Sequence, residues 1–288
     1  MLTSNRVFRR FLRDLFCPGT PRPPRASFPA KERSANSSTR GALKTPDALE
    51  SAVMHIGFFG GSFDPPHLGH LAVARAAAEA FDLDRVLLAP TARQPLKPRG
   101  ASAGFADRLA MVALLCEAAA SVEDPTPKTA PRQRGGRTIF EPSSLDAPRP
   151  DGSPNYTVDT LTRLRQELSP EDRILVIVGA DAFLDIRRWR SPETLLRLAE
   201  WIVVSRPGFS LWQLVGLGLS TEQRARVHLL EHVHEPASAT GIRALLRRGA
   251  VGSNARPLLP ASVLEYIHAH RLYGVESGPR SSPGQHLR

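Results

Sequence analysis

The residue types best suited to chemistry lie in one eleven-residue segment, GGSFDPPHLGH, at positions 60–70. It follows a short apolar run that ends in glycine and leads into an Ala/Leu-rich stretch. Gly60 and Gly61 allow the backbone to turn sharply and to approach a ligand closely, because neither carries a Cβ atom. A helix that begins near Leu68 would present unpaired N–H groups and the positive end of its dipole, which favour an anion. The segment therefore predicts a turn that binds phosphate.

Two histidines stand at the helix end of this segment. His67 and His70 are three residues apart, so both side chains can face the same spot, and imidazole N–H groups can donate to phosphate oxygens. Gly69, between them, leaves room for a nucleotide. A histidine pair can also bind zinc or be purely structural, but no third ligand follows at a convincing spacing. The surrounding Gly, Asp and Pro residues favour the phosphate interpretation.

The elements that must position this turn alternate between strand and helix from Met54 onward. Apolar runs predict strands at 55–60, 85–90, 173–180 and 227–233, and a strand followed by a turn at 201–208. Helical patterns cover 68–81, 105–120, 157–168, 191–199, 238–249 and 260–270. Thr157 is the predicted N-cap of its helix. This order predicts an α/β fold, a Rossmann-like parallel sheet with helices on both faces.

The strongly basic composition belongs mainly to one end of the chain. Residues 1–53 hold ten Lys/Arg and four acids, which is +6 of the formal net charge of +10. Their composition predicts a disordered basic N-terminal extension. We favour a segment without an essential function, or one that results from a start codon assigned too far upstream. The alternatives are a membrane-surface anchor, a transit peptide or a nucleic-acid arm. The rest is predicted as one domain, 54–274, with an inserted Pro/Arg-rich loop around 121–150 and a disordered C-terminal tail, 275–288.

Composition also excludes several classes. No apolar run approaches the ~18 residues of a membrane-spanning helix, and no apolar stretch with a cleavage site suggests secretion. The two cysteines, Cys17 and Cys116, are placed so that no disulfide is expected, which fits a reducing compartment. The sequence therefore predicts a cytoplasmic protein without a membrane partner.

Two segments of the chain resemble the signatures of a known enzyme family. The segment at 60–70 resembles the signature of the HxGH-type nucleotidylyltransferases. SATGIR at 238–243 resembles their second signature, in which Ser238 and Thr240 supply hydroxyls and Arg243 supplies a fork for two phosphate oxygens. The two segments lie at opposite ends of the predicted domain, which makes coincidence improbable.

Further segments resemble one branch, the nicotinate-nucleotide adenylyltransferases. They are PTARQPLKP (90–98), FADRLAMV (105–112), DAPRPDGSPNYT (146–157), NYTVDTL (155–161), VGAD (178–181), RWRSPETLL (188–196), VVSRPG (203–208) and LLPASVLEYIHAHRLYG (258–274). The resemblance covers essentially all of 54–274. One departure is Leu96, which stands where the branch commonly has histidine, although Lys97 is retained as a cation.

The resemblance implies transfer of AMP from ATP to nicotinate mononucleotide, giving nicotinate adenine dinucleotide (deamido-NAD) and pyrophosphate, in NAD biosynthesis. It implies Mg²⁺ carried mainly by the ATP phosphates, with few protein ligands. The implied catalytic residues are His67, His70 and Arg243. The implied ATP site comprises Gly60, Gly61, Ser62, Phe63, His67, Gly69, His70, Gly179, Asp181, Ser238, Thr240 and Arg243. The implied substrate site comprises Lys97, Tyr156, Thr157, Trp189 and Arg190, with Trp189 stacked on the pyridine ring.

Two alternatives stay open from the sequence. One is a related adenylyltransferase that acts on nicotinamide mononucleotide or phosphopantetheine. The other is a non-catalytic nucleotide- or RNA-binding protein, which would be expected to show eroded motifs and stacking aromatics among its basic residues. Nucleic acid is therefore not an expected partner, and the sequence leaves the oligomeric state open, a homo-oligomer included.

Overall fold

The computed structural model describes residues 53–92, 100–121, 137–205, 216–231, 233, 237–249 and 258–275. Six strands form one sheet. They are β1 (His55–Gly61), β2 (Arg85–Pro90), β3 (Ile139–Pro142), β4 (Arg173–Gly179), β5 (Glu200–Val204) and β6 (Val227–Leu230).

Eight α-helices connect or flank these strands in the described residues. They are α1 (Leu68–Ala80), α2 (Phe105–Ser121), α3 (Thr157–Gln166), α4 (Ala180–Leu184), α5 (Pro192–Leu198), α6 (Thr221–Ala225), α7 (Ala239–Arg247) and α8 (Ala261–Ala269). Short 3₁₀ turns cover Ile186–Arg188 and Leu272–Gly274.

The strand order is β3-β2-β1-β4-β5-β6, and every neighbouring pair is parallel. β1 is central, with Phe59 paired to Leu88 of β2 and to Ile177 of β4. From β1 the chain continues to β2 and β3 on one side of the sheet. It then returns to β4, beside β1, and continues to β5 and β6 on the other side. Ligands of such sheets bind beyond the carboxyl ends of the strands where the direction reverses, so the turn after β1 occupies the expected place.

Two apolar layers cover the sheet, one on each face. The first is built on α1, α2, α7 and α8, and includes the fully buried Ala74, Met111, Ile242 and Val263. The second is built on α3, α4 and α5, and includes Leu161, Phe183 and Leu195. The predicted sheet with helices on both faces is confirmed.

One prediction about the inserted loop was wrong in part. Residues 139–142 form a sheet-edge strand, β3, that pairs with β2 from Arg85–Ile139 to Leu88–Pro142. The run is only four residues long and contains a proline, which an edge strand tolerates because one side of its backbone is unpaired. The prolines in and around this segment therefore favoured a loop over a strand in the sequence pattern. Residues 122–136 lie outside the described part.

Several predicted boundaries also change. Tyr156, not Thr157, is the N-cap of α3, and Thr157 is its first helical residue. β6 ends at Leu230, three residues before the predicted end. The predictions for residues 1–52 and 276–288 fall outside the described residues. None of the helices described is both long and apolar enough to span a membrane.

Candidate active site

The β1–α1 turn, from Gly60 at the end of β1 to His67 before α1, packs against aromatic rings. A Cβ on Gly61 would lie 3.2 Å from the Phe63 ring, so the backbone and this ring approach closely. Phe63 itself is 1% exposed and adopts a left-handed φ of 45°. Its ring packs edge-on against Phe59, with centroids 5.5 Å apart. The turn is therefore seated on an apolar base.

A buried carboxylate fixes the middle of this turn. Asp64 is 4% exposed. It accepts hydrogen bonds from the backbone N–H of Ser102 (2.6 Å), from that of Ala103 (3.0 Å) and from the hydroxyl of Tyr273 (2.9 Å). These donors lie before α2 and in the last described turn of the chain, so one side chain joins three distant segments.

A second buried charge holds the start of the turn. Arg108, in the first turn of α2, is 2% exposed and donates to the backbone carbonyl of Ser62 (2.6 Å) and to that of Ala103 (3.2 Å). Burial lowers the pKa of Arg108, while the nearby Asp64 charge opposes that shift. The carbonyls and the carboxylate together compensate a guanidinium that water does not reach.

The two histidines form a stacked pair at the beginning of α1. Their ring centroids are 3.7 Å apart, and the backbone N–H of His67 donates to Nδ1 of His70 at 3.1 Å. Since that nitrogen accepts a hydrogen bond, the neutral His70 ring carries its proton on Nε2. The ring also packs against Phe63, with centroids 4.7 Å apart.

Both rings are electrically neutral in the free protein at neutral pH. Burial lowers the pKa of His67 from 6.5 to about 4. Burial and the neighbouring His67 ring lower the pKa of His70 well below its ordinary value. The pair can thus offer N–H donors without a fixed positive charge.

The second motif reaches the first through Arg243. Its guanidinium donates to the backbone carbonyl of Asp64 at 2.6 Å and to the Thr240 hydroxyl at 3.2 Å, and it lies 3.8 Å from the Asp64 carboxylate. Ser238 is the N-cap of α7 and accepts from the N–H of Gly241 (3.1 Å). The structure therefore brings together residues 179 positions apart.

Gly179 and Asp181 lie at the carboxyl end of β4, beside β1. Gly179 is the N-cap of α4, and Asp181 is in the first turn of that helix rather than at its cap. Both are exposed, and a Cβ on Gly179 would meet no atom within 4 Å. The sheet thus places them at the same edge as the β1–α1 turn.

Four of the predicted substrate residues lie in the described part of the chain, near the start of α3 and after the 3₁₀ turn at Ile186–Arg188. The Arg190 guanidinium lies over the Tyr156 ring, 4.5 Å from its centroid, just before the first turn of α3. Trp189 is half-buried and packs edge-on against the fully buried Trp201, with centroids 6.0 Å apart. Lys97 lies outside the described residues.

Three contributors to the site were not singled out from the sequence: Asp64, Arg108 and Tyr273. Each lies inside a segment that matches the family pattern, but for Arg108 and Tyr273 nothing in the segment separates a buried anchor from an ordinary helix or loop residue. A signal existed for Asp64, because an acidic residue inside a phosphate-binding turn needs positive or N–H partners to be tolerated.

Comparison with known proteins places this geometry in a family. The family model described as cytidylyltransferase-like matches residues 58–245. The protein named probable nicotinate-nucleotide adenylyltransferase of Solibacter usitatus is 34% identical over 221 residues, covering 76% of this chain and all of that protein. The protein of the same name from Gloeobacter violaceus is 35% identical over 224 residues, covering 77% of this chain and 98% of that protein.

A solved structure supports the fold. The nicotinic acid mononucleotide adenylyltransferase of Plasmodium falciparum, complexed with APC, superposes with a TM-score of 0.56 at 16% identity. The superposition covers 77% of this chain and 98% of that one. The sequence relatives match over their whole length and the arrangement of the strands agrees. The chain therefore belongs to the cytidylyltransferase-like family and, within it, to the nicotinate-nucleotide adenylyltransferases.

Proposed function

We propose that this protein transfers AMP from ATP to nicotinate mononucleotide, releasing pyrophosphate and forming nicotinate adenine dinucleotide. The observation that carries the proposal is the junction between the two phosphate-binding motifs, where Arg243 donates to the backbone carbonyl of Asp64. This junction sets two imidazoles, one guanidinium and two helix starts around one spot at the carboxyl edge of the sheet. The relatives that match over their full length carry the same name.

The reaction needs positioning more than it needs acid–base chemistry. An oxygen of the substrate phosphate attacks the α-phosphorus of ATP, and the bond from that phosphorus to the bridging oxygen breaks as pyrophosphate leaves with the electron pair. The attacking group is already an anion, so a protein nucleophile is not required. Catalysis then rests on stabilising the charge that gathers on the leaving group.

The positions of the phosphate-site residues support the following roles. His70 lies nearest the α-phosphate and donates from Nε2, with His67 beside it. Arg243, with Ser238 and Thr240, holds the β- and γ-phosphates at the start of α7. Gly60, Gly61, Ser62, Phe63 and Gly69 wrap the nucleotide, and Gly179 and Asp181 contact adenosine.

The pyridine nucleotide is assigned to the start of α3. Backbone N–H groups near Thr157 and Arg190 donate to the nicotinate carboxylate, which the positive helix end favours. The Arg190 guanidinium, stacked on Tyr156, adds positive charge at this place. Trp189 stacks on the pyridine ring through the side that does not face Trp201, and Lys97 contributes a cation.

Mg²⁺ fits this site as a companion of ATP rather than as a resident ion. Among the described residues, no group of three or more His, Cys, Asp and Glu side chains could hold a metal. Asp64, the carboxylate of the turn, is occupied by its N–H and hydroxyl donors. Mg²⁺ bound to the phosphates would neutralise part of their charge, while the phosphates themselves are held by His70 and Arg243.

The wider setting is also proposed. The catalytic domain spans 54–274, and residues 1–53 and 275–288 are extensions that the reaction does not need. The enzyme acts in the cytoplasm, in NAD biosynthesis, and nucleic acid is not among its partners.

The proposal is tested by product analysis with two substrates. With ATP and Mg²⁺, nicotinate mononucleotide should give pyrophosphate and nicotinate adenine dinucleotide, both measured by chromatography. Nicotinamide mononucleotide should react much more slowly, since its amide lacks the charge that α3 and Arg190 attract. Equal turnover of the two substrates would assign the alternative specificity, and no turnover of either would overturn the proposal.

Replacing His70 tests the charge-stabilising donor. His70→Ala should lower kcat about 10²–10³-fold, the usual loss for one donor to a developing anion. His268→Ala, on the exposed side of α8, is the matched control and should retain wild-type kcat. Near-normal turnover of His70→Ala would remove this residue from the mechanism.

The lowered histidine pKa predicts a pH-dependent stability. The unfolded chain binds a proton at His67 below about pH 6.5, whereas the folded protein binds it only near pH 4, so folding stability falls as pH falls between these values. From pH 7.5 to pH 5 the wild type should lose about 2 kcal/mol of unfolding free energy more than His67→Gln, as measured by urea titration. Identical losses in both proteins would contradict a neutral, buried His67.

A further inference from the structure

We propose that Tyr273, in the last described turn of the chain, is a positioning residue for the ATP phosphates, because it keeps the Asp64 carboxylate from capturing Arg243. The inference rests on the proposed function only in naming ATP as the ligand. It concerns a side chain that lies outside both phosphate-binding motifs.

Several donors surround the Asp64 carboxylate. The Tyr273 hydroxyl donates to Oδ1 of Asp64 at 2.9 Å, and Ser102 and Ala103 supply the two backbone N–H donors. Arg243 stands 3.8 Å from Oδ2, beyond hydrogen-bonding distance. Its short bond goes instead to the backbone carbonyl of Asp64, at 2.6 Å. The carboxylate is thus satisfied by neutral donors, and the cation beside it makes no direct bond to it.

Without the Tyr273 hydroxyl, Arg243 would move onto the Asp64 carboxylate. Asp64 is 4% exposed, so water cannot readily replace a lost donor. Two cations stand near Asp64, but Arg108 is already bonded to the carbonyls of Ser62 and Ala103. Arg243 is therefore the cation that can shift, and its approach by less than an ångström would create a charge-assisted pair. A guanidinium bound in that pair is less available to phosphate oxygens. Tyr273 therefore keeps a neighbouring cation free for the ligand.

The surroundings of Tyr273 hold its side chain in place. Tyr273 is 9% exposed and has a left-handed φ of 63°, in a 3₁₀ turn that follows α8. Burial and the Asp64 charge raise the pKa of its hydroxyl, so it remains a proton donor throughout the working range. A bulky residue with positive φ is uncommon and requires support from its surroundings. The end of the domain is therefore ordered so that one hydroxyl reaches the β1–α1 turn.

The chain offers a matched control. Tyr266, on α8, donates its hydroxyl to Oδ1 of Asp107 at 3.1 Å. Tyr266→Phe removes the same atom, from the same region of the chain, and breaks the same kind of bond. Within the described part of the chain, no hydrogen bond or ion pair joins Asp107 to Arg243 or to the β1–α1 turn. A general loosening of the C-terminal region would affect both variants, whereas the proposed role belongs to Tyr273 alone.

Calorimetric titration of the full chain with α,β-methylene-ATP and Mg²⁺ tests the inference. Tyr273→Phe should weaken binding about tenfold, the size expected when one charge-assisted contact is diverted. Tyr266→Phe should bind like the wild type, and KM for nicotinate mononucleotide should be unchanged in both. Unchanged affinity in Tyr273→Phe, or equal weakening in both variants, would overturn the inference. Because binding is measured directly, the result stands apart from whether nicotinate mononucleotide is the acceptor.

A measurement on the unsubstituted chain covers the case in which Tyr273→Phe does not fold. The chain has only three tyrosines, so ¹⁹F NMR of 3-fluorotyrosine-labelled protein gives three resonances. Assignment uses Tyr156→Phe and Tyr266→Phe. Addition of α,β-methylene-ATP should shift the Tyr273 resonance, because phosphate bound to Arg243 changes the charge beside Asp64, and should leave that of Tyr266 in place. A Tyr273 resonance that does not move would overturn the inference.

Discussion

The site depends on one buried carboxylate. Asp64 lies in the turn after the central strand β1, and its hydrogen bonds reach the start of α2 and the end of the chain. Its backbone carbonyl receives Arg243 from α7. A buried carboxylate without such partners would cost several kcal/mol, so the segments that satisfy it are held together whenever the chain is folded. The geometry of the phosphate site is a consequence of satisfying this charge.

The proposed phosphate ligands include both neutral and charged donors. His70 lies against Phe59 and Phe63, and His67 stacks on His70; burial keeps both imidazoles neutral. Arg243 keeps its charge and stands partly exposed beside them. A neutral donor can be buried close to the reacting phosphorus at low cost, whereas a cation is best kept at the rim, where the polyphosphate remains solvated. This arrangement suits a leaving group that gathers charge away from the attacked atom.

Much of this could be predicted from the sequence. The glycine-rich segment before α1 and the alternation of strands and helices depend on local patterns, and both were found where expected. β3 was missed because an edge strand of four residues needs tertiary pairing with β2 rather than a strong pattern of its own. The N-cap of α3 was misplaced by one residue, since Thr157 has the preferred side chain but the backbone turns at Tyr156.

The least predictable feature was the set of contacts between distant segments. The Tyr273–Asp64 hydrogen bond joins residues 209 positions apart. The Arg108–Ser62 bond likewise depends on how α2 packs over the β1–α1 turn. Such pairings are set by the whole fold, and a single sequence carries no local signal for them. The sequence predicts the phosphate ligands, and the fold determines which residues hold them in place.

The central claim is that AMP passes directly from ATP to the acceptor, held by these positioned donors, without a stage on the protein. Isotope exchange between labelled pyrophosphate and ATP tests it most directly. With Mg²⁺ but without nicotinate mononucleotide, direct transfer predicts that no label enters ATP. When nicotinate adenine dinucleotide is added, the reverse reaction should label ATP readily. Label in ATP without any pyridine nucleotide would reveal an adenylylated protein and contradict direct transfer.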